Sequence, residues 1–487
     1  MERRIMNREN DFCWLNARRC AMNEEMFTIK SYSQPINRKP NVPFARPYFI
    51  KNKTSGLKTL FLIMRNLFSF LLGICLLLSS AVFSQTAIYN PAIKSVKLFR
   101  AGDQASFPVI MLNSSDILQL EFDELGTGVK NYYYAFQLCN ADWSRSMLSS
   151  FDYTKGFQST RISTYRNSSL ATTKYVHYQA NIPDRNSSPS RSGNYLLKVF
   201  LNNDTAQLVF TKRFVVVNNM TQIATQVQQP FNSTLFQTGQ KLQLGVQADK
   251  RINVLSPSDI KVMVLQNQNW QTALFLDRPT IFRGNYFEYS DEGITGMQGL
   301  KEFRWLDLRS LRLLSDRMLR LDNKGDSVHV FVKPETSRNG QSYVYFRDLN
   351  GSYTIETYEN INPFWQGDYA YTHFKFFPPN NRPIPGNDIY IFGEMTNFAT
   401  DTSGRMYFNE ESGAYEKTLL LKQGYYNYMY AIKPQRGGAL DFSQTEGNHW
   451  GTENNYTILV YYRPFGARAD ECIGYSSLNS IFQRQGL

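Results

Sequence analysis

The chain has 487 residues and a formal net charge of +12, but this charge is concentrated near its start. Of its 53 Lys and Arg residues, 13 precede residue 85, as do 5 of its 41 Asp and Glu residues, so the rest carries a net charge of about +4. A nearly neutral body gives no support for nucleic-acid binding, which requires clustered basic residues. The chain after residue 84 is long enough for about three domains of roughly 100–150 residues each.

A signal-peptide pattern lies inside the chain. A basic flank precedes an apolar core over residues 67–78, and small residues then continue to Gln85. This layout predicts a secretory signal peptide over residues 64–84, and it favours cleavage over the alternative of a membrane anchor. We therefore expect residues 1–63 to be an over-extended, disordered start, and the chain after Gln85 to be exported to the periplasm.

The exported part consists of short segments that alternate between apolar and polar residues, separated by loops rich in Gly, Pro, Asn and Ser. The clearest predicted strands are Tyr132–Cys139, Gly193–Leu201, Leu208–Val217, Ile260–Gln266, Val328–Val332, 415–421 and 424–431. Residues 305–321 fit either an amphipathic helix or a strand, and we predict a strand first because the surroundings are β. Such spacing with almost no helical periodicity is typical of β-sandwiches.

We therefore predict an all-β, multidomain protein built from immunoglobulin-like or early-set β-sandwiches. The predicted domains are an N-terminal β-sandwich over residues 85–219, a middle β domain over residues 220–335, and a C-terminal early-set-like β-sandwich over residues 336–487.

Several stretches along the exported part occur in a recognisable order. They include residues 137–143, 302–305 and 422–428, and the positions that stand out within or near them are Asn140, Asp142, Trp143, Gly156, Phe157, Trp305, Gly424, Tyr425 and Tyr426. Together these stretches resemble the plug protein family of the type IX secretion system, and the resemblance covers essentially all of the exported chain. It marks these positions as structural or partner-contact residues.

The resemblance implies a function and a partner. Plug proteins are periplasmic, and they seal the periplasmic opening of the outer-membrane translocon barrel when no shuttle subunit or cargo occupies it. The expected protein is therefore not an enzyme and has no cofactor, no metal and no small-molecule substrate. Its expected partner is the translocon barrel, and it would be peripheral to the outer membrane at most.

The C-terminal part suggests an alternative function. Residues 388–398 resemble early-set immunoglobulin-like modules that bind glycogen, which place a Trp where Phe398 stands here. Because that Trp stacks on the sugar, its replacement weakens the carbohydrate-binding interpretation, and we expect Phe398 to be a core or corner residue. The alternative remains an exported carbohydrate-binding protein whose sugar platform combines Phe398 with Trp450.

Patterns for catalysis or metal binding are weak. The four histidines, His177, His329, His373 and His449, lack a second ligand at metal-binding spacing. We expect His177 and His329 to be structural because they lie on predicted strands, and we expect His449, beside Trp450 in a loop, to be the most exposed of the four. A glycosidase, a third possible function, requires a pair of carboxylates, and the sequence indicates no such pair. We expect the candidates Asp103, Asp123 and Glu124 to lie in solvated loops.

Three further expectations concern a turn, two thiols and the loops. Asp142 should cap backbone amides in a turn. For the two cysteines after residue 84, Cys139 and Cys472, we expect one buried thiol and one loop thiol rather than a disulfide. Loops rich in Tyr, Asn, Arg and Trp are the expected surface for protein contacts.

Overall fold

A computed structural model describes residues 86–482, which belong to one compact unit. The predicted over-extended start at residues 1–63 and the predicted signal peptide at residues 64–84 lie outside the described residues and stay predictions. Within the described range, none of the helices is both long and apolar enough to span a membrane.

The first sandwich occupies residues 86–218. Its elements are β1 (Ala87–Ile88), β2 (Ile93–Arg100), β3 (Val109–Met111), β4 (Leu118–Leu125), β5 (Tyr132–Cys139), α1 (Ser150–Tyr153), β6 (Thr154–Gly156), β7 (Thr160–Arg161), β8 (Thr164–Asn167), β9 (Tyr175–Ile182), β10 (Ser187–Pro189), β11 (Gly193–Leu201) and β12 (Leu208–Val217). One sheet has the order β1-β12-β11-β5-β7, with β3 parallel to β12, and the other has the order β2-β4-β9-β8. Strands β6 and β10 form a separate ribbon. Alternate side chains of the two sheets meet in one core, which includes the buried rings of Tyr132, Tyr178 and Tyr195.

The second sandwich begins at residue 221. Its first elements are β13 (Thr221–Gln228), β14 (Gly239–Ala248), β15 (Ile260–Gln266), β16 (Asn269–Leu276), β17 (Ile281–Arg283), β18 (Tyr286–Tyr289), α2 (Glu292–Thr295) and β19 (Gly296–Gln298). One sheet has the order β13-β14-β18-β17, with β19 also paired to β14. Strands β15 and β16 belong to the opposite sheet.

The third sandwich follows. Its elements are β20 (Arg304–Asp307), β21 (Met318–Asn323), β22 (Val328–Val332), β23 (Glu335–Thr336), β24 (Tyr353–Ile355), α3 (Pro363–Gln366), β25 (Tyr369–Phe377), β26 (Asn387–Phe392), β27 (Tyr407–Asn409), β28 (Ala414–Lys422) and β29 (Gly424–Pro434). One sheet is built around β29, which pairs with β20, β24 and β26, and the other has the order β21-β22-β25-β28-β27, with β23 beside β25. The strand predicted over residues 305–321 exists only at its two ends, in β20 and β21, because residues 308–317 form a loop.

The chain returns to the second sandwich at its end. Strand β30 (Asn455–Tyr462) pairs with β15, and β31 (Glu471–Asn479) pairs with β30, which completes a sheet with the order β16-β15-β30-β31. Ile458 and Val460 of β30 pack into the same core as Leu242 and Val262. The predicted domain boundary between residues 335 and 336 stays a prediction, and the structure adds that the segment after it contributes strands to two sandwiches.

These strands confirm the prediction of an all-β, multidomain protein built from sandwiches. The three sandwiches also share apolar contacts. Val215 and Val217 of β12 pack with Leu459 and Tyr461 of β30, which buries apolar surface between the first and second sandwiches. The Tyr461 hydroxyl adds a hydrogen bond of 2.6 Å to Asn194 of β11.

Both cysteines of the described range are buried. Cys139 ends β5 and Cys472 lies in β31. The expectation of a loop thiol was therefore wrong, because Cys472 is on a strand packed between the first and second sandwiches. Burial raises the pKa of the Cys472 thiol to about 12.

Candidate functional site

A buried ionic cluster joins the first sandwich to the third. Asp123 on β4 accepts hydrogen bonds from Lys422 on β28 and, at 2.6 Å, from the hydroxyl of Tyr369 on β25. His177 on β9 lies between two carboxylates, with Nδ1 2.7 Å from Asp123 and Nε2 2.6 Å from Glu121. The charged side chains of this cluster are almost completely buried, so their mutual contacts replace hydration.

Burial and pairing act in opposite directions on the pKa values of this cluster. Burial raises the pKa of Asp123, but the charges of Lys422 and His177 outweigh this effect and lower it below its usual value. Burial lowers the pKa of His177, but hydrogen bonds to Asp123 and Glu121 outweigh this effect and raise it. The geometry therefore favours two carboxylates facing two cations.

The expectation that Asp123 and Glu124 lie in solvated loops was wrong. Both lie on β4 and are buried. Leu120 and Phe122 face the core of the first sandwich, and the alternate face, which carries Glu121 and Asp123, is covered by the third sandwich. Two acids at alternating positions of one strand, opposite a histidine on its neighbour, were the available signal, but the covering residues are far away in sequence.

A second ionic contact lies beside the first. Lys97 of β2 is buried and places Nζ 2.7 Å from Glu394 of the third sandwich. The same ammonium donates to the carbonyl of Tyr353 and lies 3.9 Å from the centre of the Tyr353 ring. Burial lowers the pKa of Lys97, and the contact with Glu394 opposes this shift. Ion pairs and a cation–π contact thus hold these two sandwiches together.

The turn after β5 carries three of the predicted residues and lies between the first and second sandwiches. Asp142 accepts hydrogen bonds from the amide of Ser144 at 2.9 Å, as a turn cap should. Asn140 accepts a hydrogen bond from Arg463 at 2.8 Å. Trp143 packs edge-on against Trp270 of β16, with ring centres 4.8 Å apart. The positions of Asn140 and Trp143 indicate a role in joining two sandwiches.

Gly156 and Phe157 lie at the end of the ribbon formed by β6 and β10. Gly156 has a φ of +91°, and a Cβ atom there would lie 2.1 Å from the carbonyl oxygen of Asn186, so this position requires glycine. The Phe157 side chain is exposed. Trp305, in the third sandwich, packs on Phe346 at 4.9 Å and under the guanidinium of Arg317 at 3.9 Å.

Gly424, Tyr425 and Tyr426 begin β29. A Cβ atom at Gly424 would lie 2.2 Å from the carbonyl oxygen of Thr354, so the close approach of β24 requires glycine. Tyr426 is buried and donates a hydrogen bond of 2.6 Å to the carbonyl of Lys422. The carbonyl of Gly424 accepts a hydrogen bond of 2.8 Å from Leu308, which connects this strand to the exposed loops described next.

One end of the third sandwich carries a loop face, which we define as residues 308–314 and 356–362. The two loops are joined by hydrogen bonds from Tyr358 to the Arg309 carbonyl at 3.0 Å and from Ser310 to Glu359 at 2.7 Å. The guanidinium of Arg309 lies 4.5 Å from the centre of the Tyr358 ring. The loop face leaves several large apolar side chains exposed, namely Leu313, Leu314, Tyr358 and Ile361. Contiguous exposed apolar and arginine side chains are typical of protein-binding surfaces.

The two residues of the predicted sugar platform make separate contacts. Phe398 is half-buried and packs against Phe392 with ring centres 5.4 Å apart. Trp450 lies beside His449, and its backbone amide donates to the carbonyl of Gln237 at 2.9 Å. The platform stays a prediction. Across residues 86–482, no group of three or more His, Cys, Asp or Glu side chains is arranged to hold a metal ion.

The first sandwich matches a family model described as the first domain of the type IX secretion system plug protein, over residues 93–218. The chain belongs to the type IX secretion system plug protein family. Members of that family are structural components of the secretion system, and the family is not a known enzyme family. Membership therefore gives this plug-family protein a role in type IX secretion and an envelope location.

Solved structures resemble this plug-family protein to different degrees. A hypothetical protein from Parabacteroides merdae ATCC 43184 is 30% identical, with a TM-score of 0.79 over 82% of this chain and 100% of its own. The B domain of a biofilm-associated protein is 9% identical, with a TM-score of 0.15 over 81% of this chain and 88% of its own, which is too low to indicate a shared fold. No curated protein matches the chain significantly.

Proposed function

We propose that this protein reversibly seals the periplasmic opening of the outer-membrane translocon barrel of the type IX secretion system. The observation that carries the proposal is the family match together with the way the sandwiches are joined. Two ion pairs connect the first and third sandwiches: Asp123 with Lys422, both buried, and buried Lys97 with the partly exposed Glu394. A protein that blocks an opening by its shape must keep that shape under load, and these contacts resist separation of the sandwiches.

Sealing of this kind requires no catalytic group. The protein competes with the shuttle subunit or cargo for the barrel, and whichever binds shifts the population between blocked and open states. Because the seal must be released, its interface should be polar and rich in aromatic and arginine side chains instead of resembling a domain core.

The loop face has this composition, and we infer that it contacts the barrel. Ile361 is 99% exposed and Tyr358 is 68% exposed, while Arg309 stacks on Tyr358. In a typical protein interface, a small number of side chains provide most of the binding energy, and Tyr and Arg are frequent among them. The rigid support for these side chains comes from the hydrogen bonds between the two loops.

The test is recovery of the barrel with a tagged protein. Outer membranes would be solubilised and the tagged wild-type protein compared with Tyr358→Ser, Ile361→Ser and Phe465→Ser variants. Phe465 is 95% exposed but lies in the loop between β30 and β31, so its variant is the matched control. We expect the wild-type protein and the control to recover one very large barrel protein without the shuttle subunit.

The two loop-face variants should recover at least about tenfold less barrel, a loss of about 1.4 kcal/mol. Recovery of no barrel by the wild-type protein, or of barrel and shuttle always together, would contradict sealing. Normal recovery by both loop-face variants would leave sealing standing and contradict the loop face as the contact surface.

A further inference from the structure

A cavity of about 500 Å³ lies where the three sandwiches meet. Lys212 and Arg213 of β12 line it from the first sandwich, residues 268–271 line it from the second, and residues 397–401 line it from the third. The side chain of Gln271 donates a hydrogen bond of 2.5 Å to the Phe398 carbonyl and thus connects two of these walls. The volume lies within the range of ligand-binding pockets.

Cationic groups from two sandwiches converge on this cavity. Lys212 donates a hydrogen bond of 2.8 Å to the side-chain oxygen of Asn397, and Lys433 of β29 donates one of 2.7 Å to the hydroxyl of Thr400. Both ammonium groups are therefore held by the same short loop, residues 397–401. The guanidinium of Arg213, which also lines the cavity, lies 4.4 Å from the centre of the Trp143 ring.

The carboxylates that line the cavity are engaged elsewhere. Glu394 forms its ion pair with Lys97, at 2.7 Å. Asp401 accepts hydrogen bonds from the amide and hydroxyl of Ser403, at 2.8 and 2.5 Å. Within the described residues, the ammonium group of Lys212 donates its hydrogen bond to Asn397, which is neutral. The ammonium groups of Lys212 and Lys433 are therefore hydrogen-bonded to neutral oxygens rather than to carboxylates.

Lys212 is the most desolvated of these cations. Its side chain is almost completely buried, and burial lowers its pKa to about 8, with Glu394 opposing the shift and Lys97 adding to it. Burying a charge without an oppositely charged partner is unfavourable. An anion in the cavity would supply the missing partner and would favour the protonated form of Lys212.

We propose that this cavity binds an oxyanion, a carboxylate or phosphate group, held between the ammonium groups of Lys212 and Lys433 with the guanidinium of Arg213 at its wall. Charge-assisted hydrogen bonds to such groups are short and strong, and they strengthen further where water is excluded. The inference goes beyond the sealing function and does not depend on it. A bound oxyanion bridges the first and third sandwiches, so it stabilises the assembled protein.

The test is isothermal titration calorimetry at neutral pH on the wild-type protein and three variants. The probes are inorganic phosphate, succinate and a short peptide of Asp and Glu. Lys212→Gln and Lys433→Gln remove cavity cations, and Lys155→Gln removes the same charge from an exposed position of β6 outside the cavity lining. We expect at least one probe to bind the wild-type protein and Lys155→Gln alike, and both cavity variants to bind at least about tenfold more weakly.

Binding should also weaken as pH rises through about 8, where Lys212 loses its proton. Binding of phosphate or succinate would identify a free small anion as the ligand, and binding of the peptide alone would identify an acidic chain; either supports the site. Absence of binding by all three probes would overturn the proposal, as would equal losses in the cavity variants and Lys155→Gln. Lys433 is less buried than Lys212, so its substitution disturbs folding less. If Lys212→Gln does not fold, the affinity of Lys433→Gln for the probes tests the proposed site.

Discussion

Asp123 of the first sandwich and Lys422 of the third form an ion pair in which each side chain is 1% exposed. The two residues are 299 positions apart in the chain, and the same carboxylate also meets His177 and Tyr369. Removing one partner of a buried pair leaves the other charge desolvated and uncompensated. The pair therefore favours the arrangement in which the first and third sandwiches are in contact.

Lys422→Met should destabilise the protein by about 3–5 kcal/mol, because it leaves Asp123 buried without its main counter-charge. Urea denaturation followed by tryptophan fluorescence measures the change. The matched control is Lys375→Met, which removes a partly exposed lysine paired with Glu416 and should cost about 0–1 kcal/mol. Equal effects of the two substitutions would show that the buried pair does not stabilise the junction.

Stability should fall as pH rises through the raised folded-state pKa of His177. Because this pKa lies above the unfolded value, the contribution is fully present below pH about 6.5 and is lost as the folded imidazolium loses its proton. The urea midpoint of the wild-type protein should therefore decrease with pH above neutrality. His177→Gln should lack this decrease, and an unchanged slope in that variant would show that other groups cause it.

Asp348, at the junction of the second and third sandwiches, should produce a pH dependence in a more acidic range. Burial raises the pKa of its carboxyl to about 7, with Glu453 and Glu302 adding to the shift. The contribution of Asp348 to the free energy of unfolding is fully present below the unfolded pKa of about 3.9. It declines as pH rises towards 7, because ionisation of this carboxyl is unfavourable in the folded state.

Asp348→Asn should reduce the pH dependence of the urea midpoint between pH about 4 and 6. In this range His177 stays protonated in both the folded and the unfolded state. The backbone amide of Asn350 donates to Asp348 at 2.7 Å, and an asparagine oxygen can still accept that bond. A wild-type midpoint that rises across this range, or a variant with the same slope as the wild type, would contradict the assignment.

The buried thiols of Cys139 and Cys472 should resist modification in the folded protein. The pKa of Cys472 is raised to about 12, so its reactive thiolate is rare at neutral pH. Treatment with a maleimide, followed by peptide mass spectrometry, should leave both residues unlabelled in buffer and label both in urea. Labelling of Cys472 in buffer at the urea rate would show that β31 separates from the first sandwich.

The strands themselves were largely predictable from sequence. Tyr132–Cys139 and Gly193–Leu201 have the predicted bounds, because alternating aromatic and aliphatic residues fit a strand with one face in the core. The loop at residues 308–317 was not foreseen, since its alternation resembles that of a strand. Gly424 and Gly156 were identified as family positions, but the close backbone approaches that require glycine became visible only in three dimensions.

The junctions between sandwiches could not be read from sequence. The polar face of β4 looks solvent-exposed in any local pattern, and only its contact with β25 and β28 explains why Glu121 and Asp123 are buried. The strands β15 and β30, which pair with each other, are also far apart in sequence. The cavity around Lys212 is lined by separate segments from all three sandwiches, so no single motif indicates it.

The most direct test of sealing is the permeability of the barrel itself. Purified translocon barrel would be reconstituted into dye-loaded vesicles with the opening that faces the periplasm outward, and dye efflux measured as this protein is added. We expect efflux through the open barrel to fall with a saturable dependence on the wild-type protein, and Ile361→Ser to require a much higher concentration for the same effect. Efflux that stays unchanged while the protein is bound to the barrel would contradict the proposed seal.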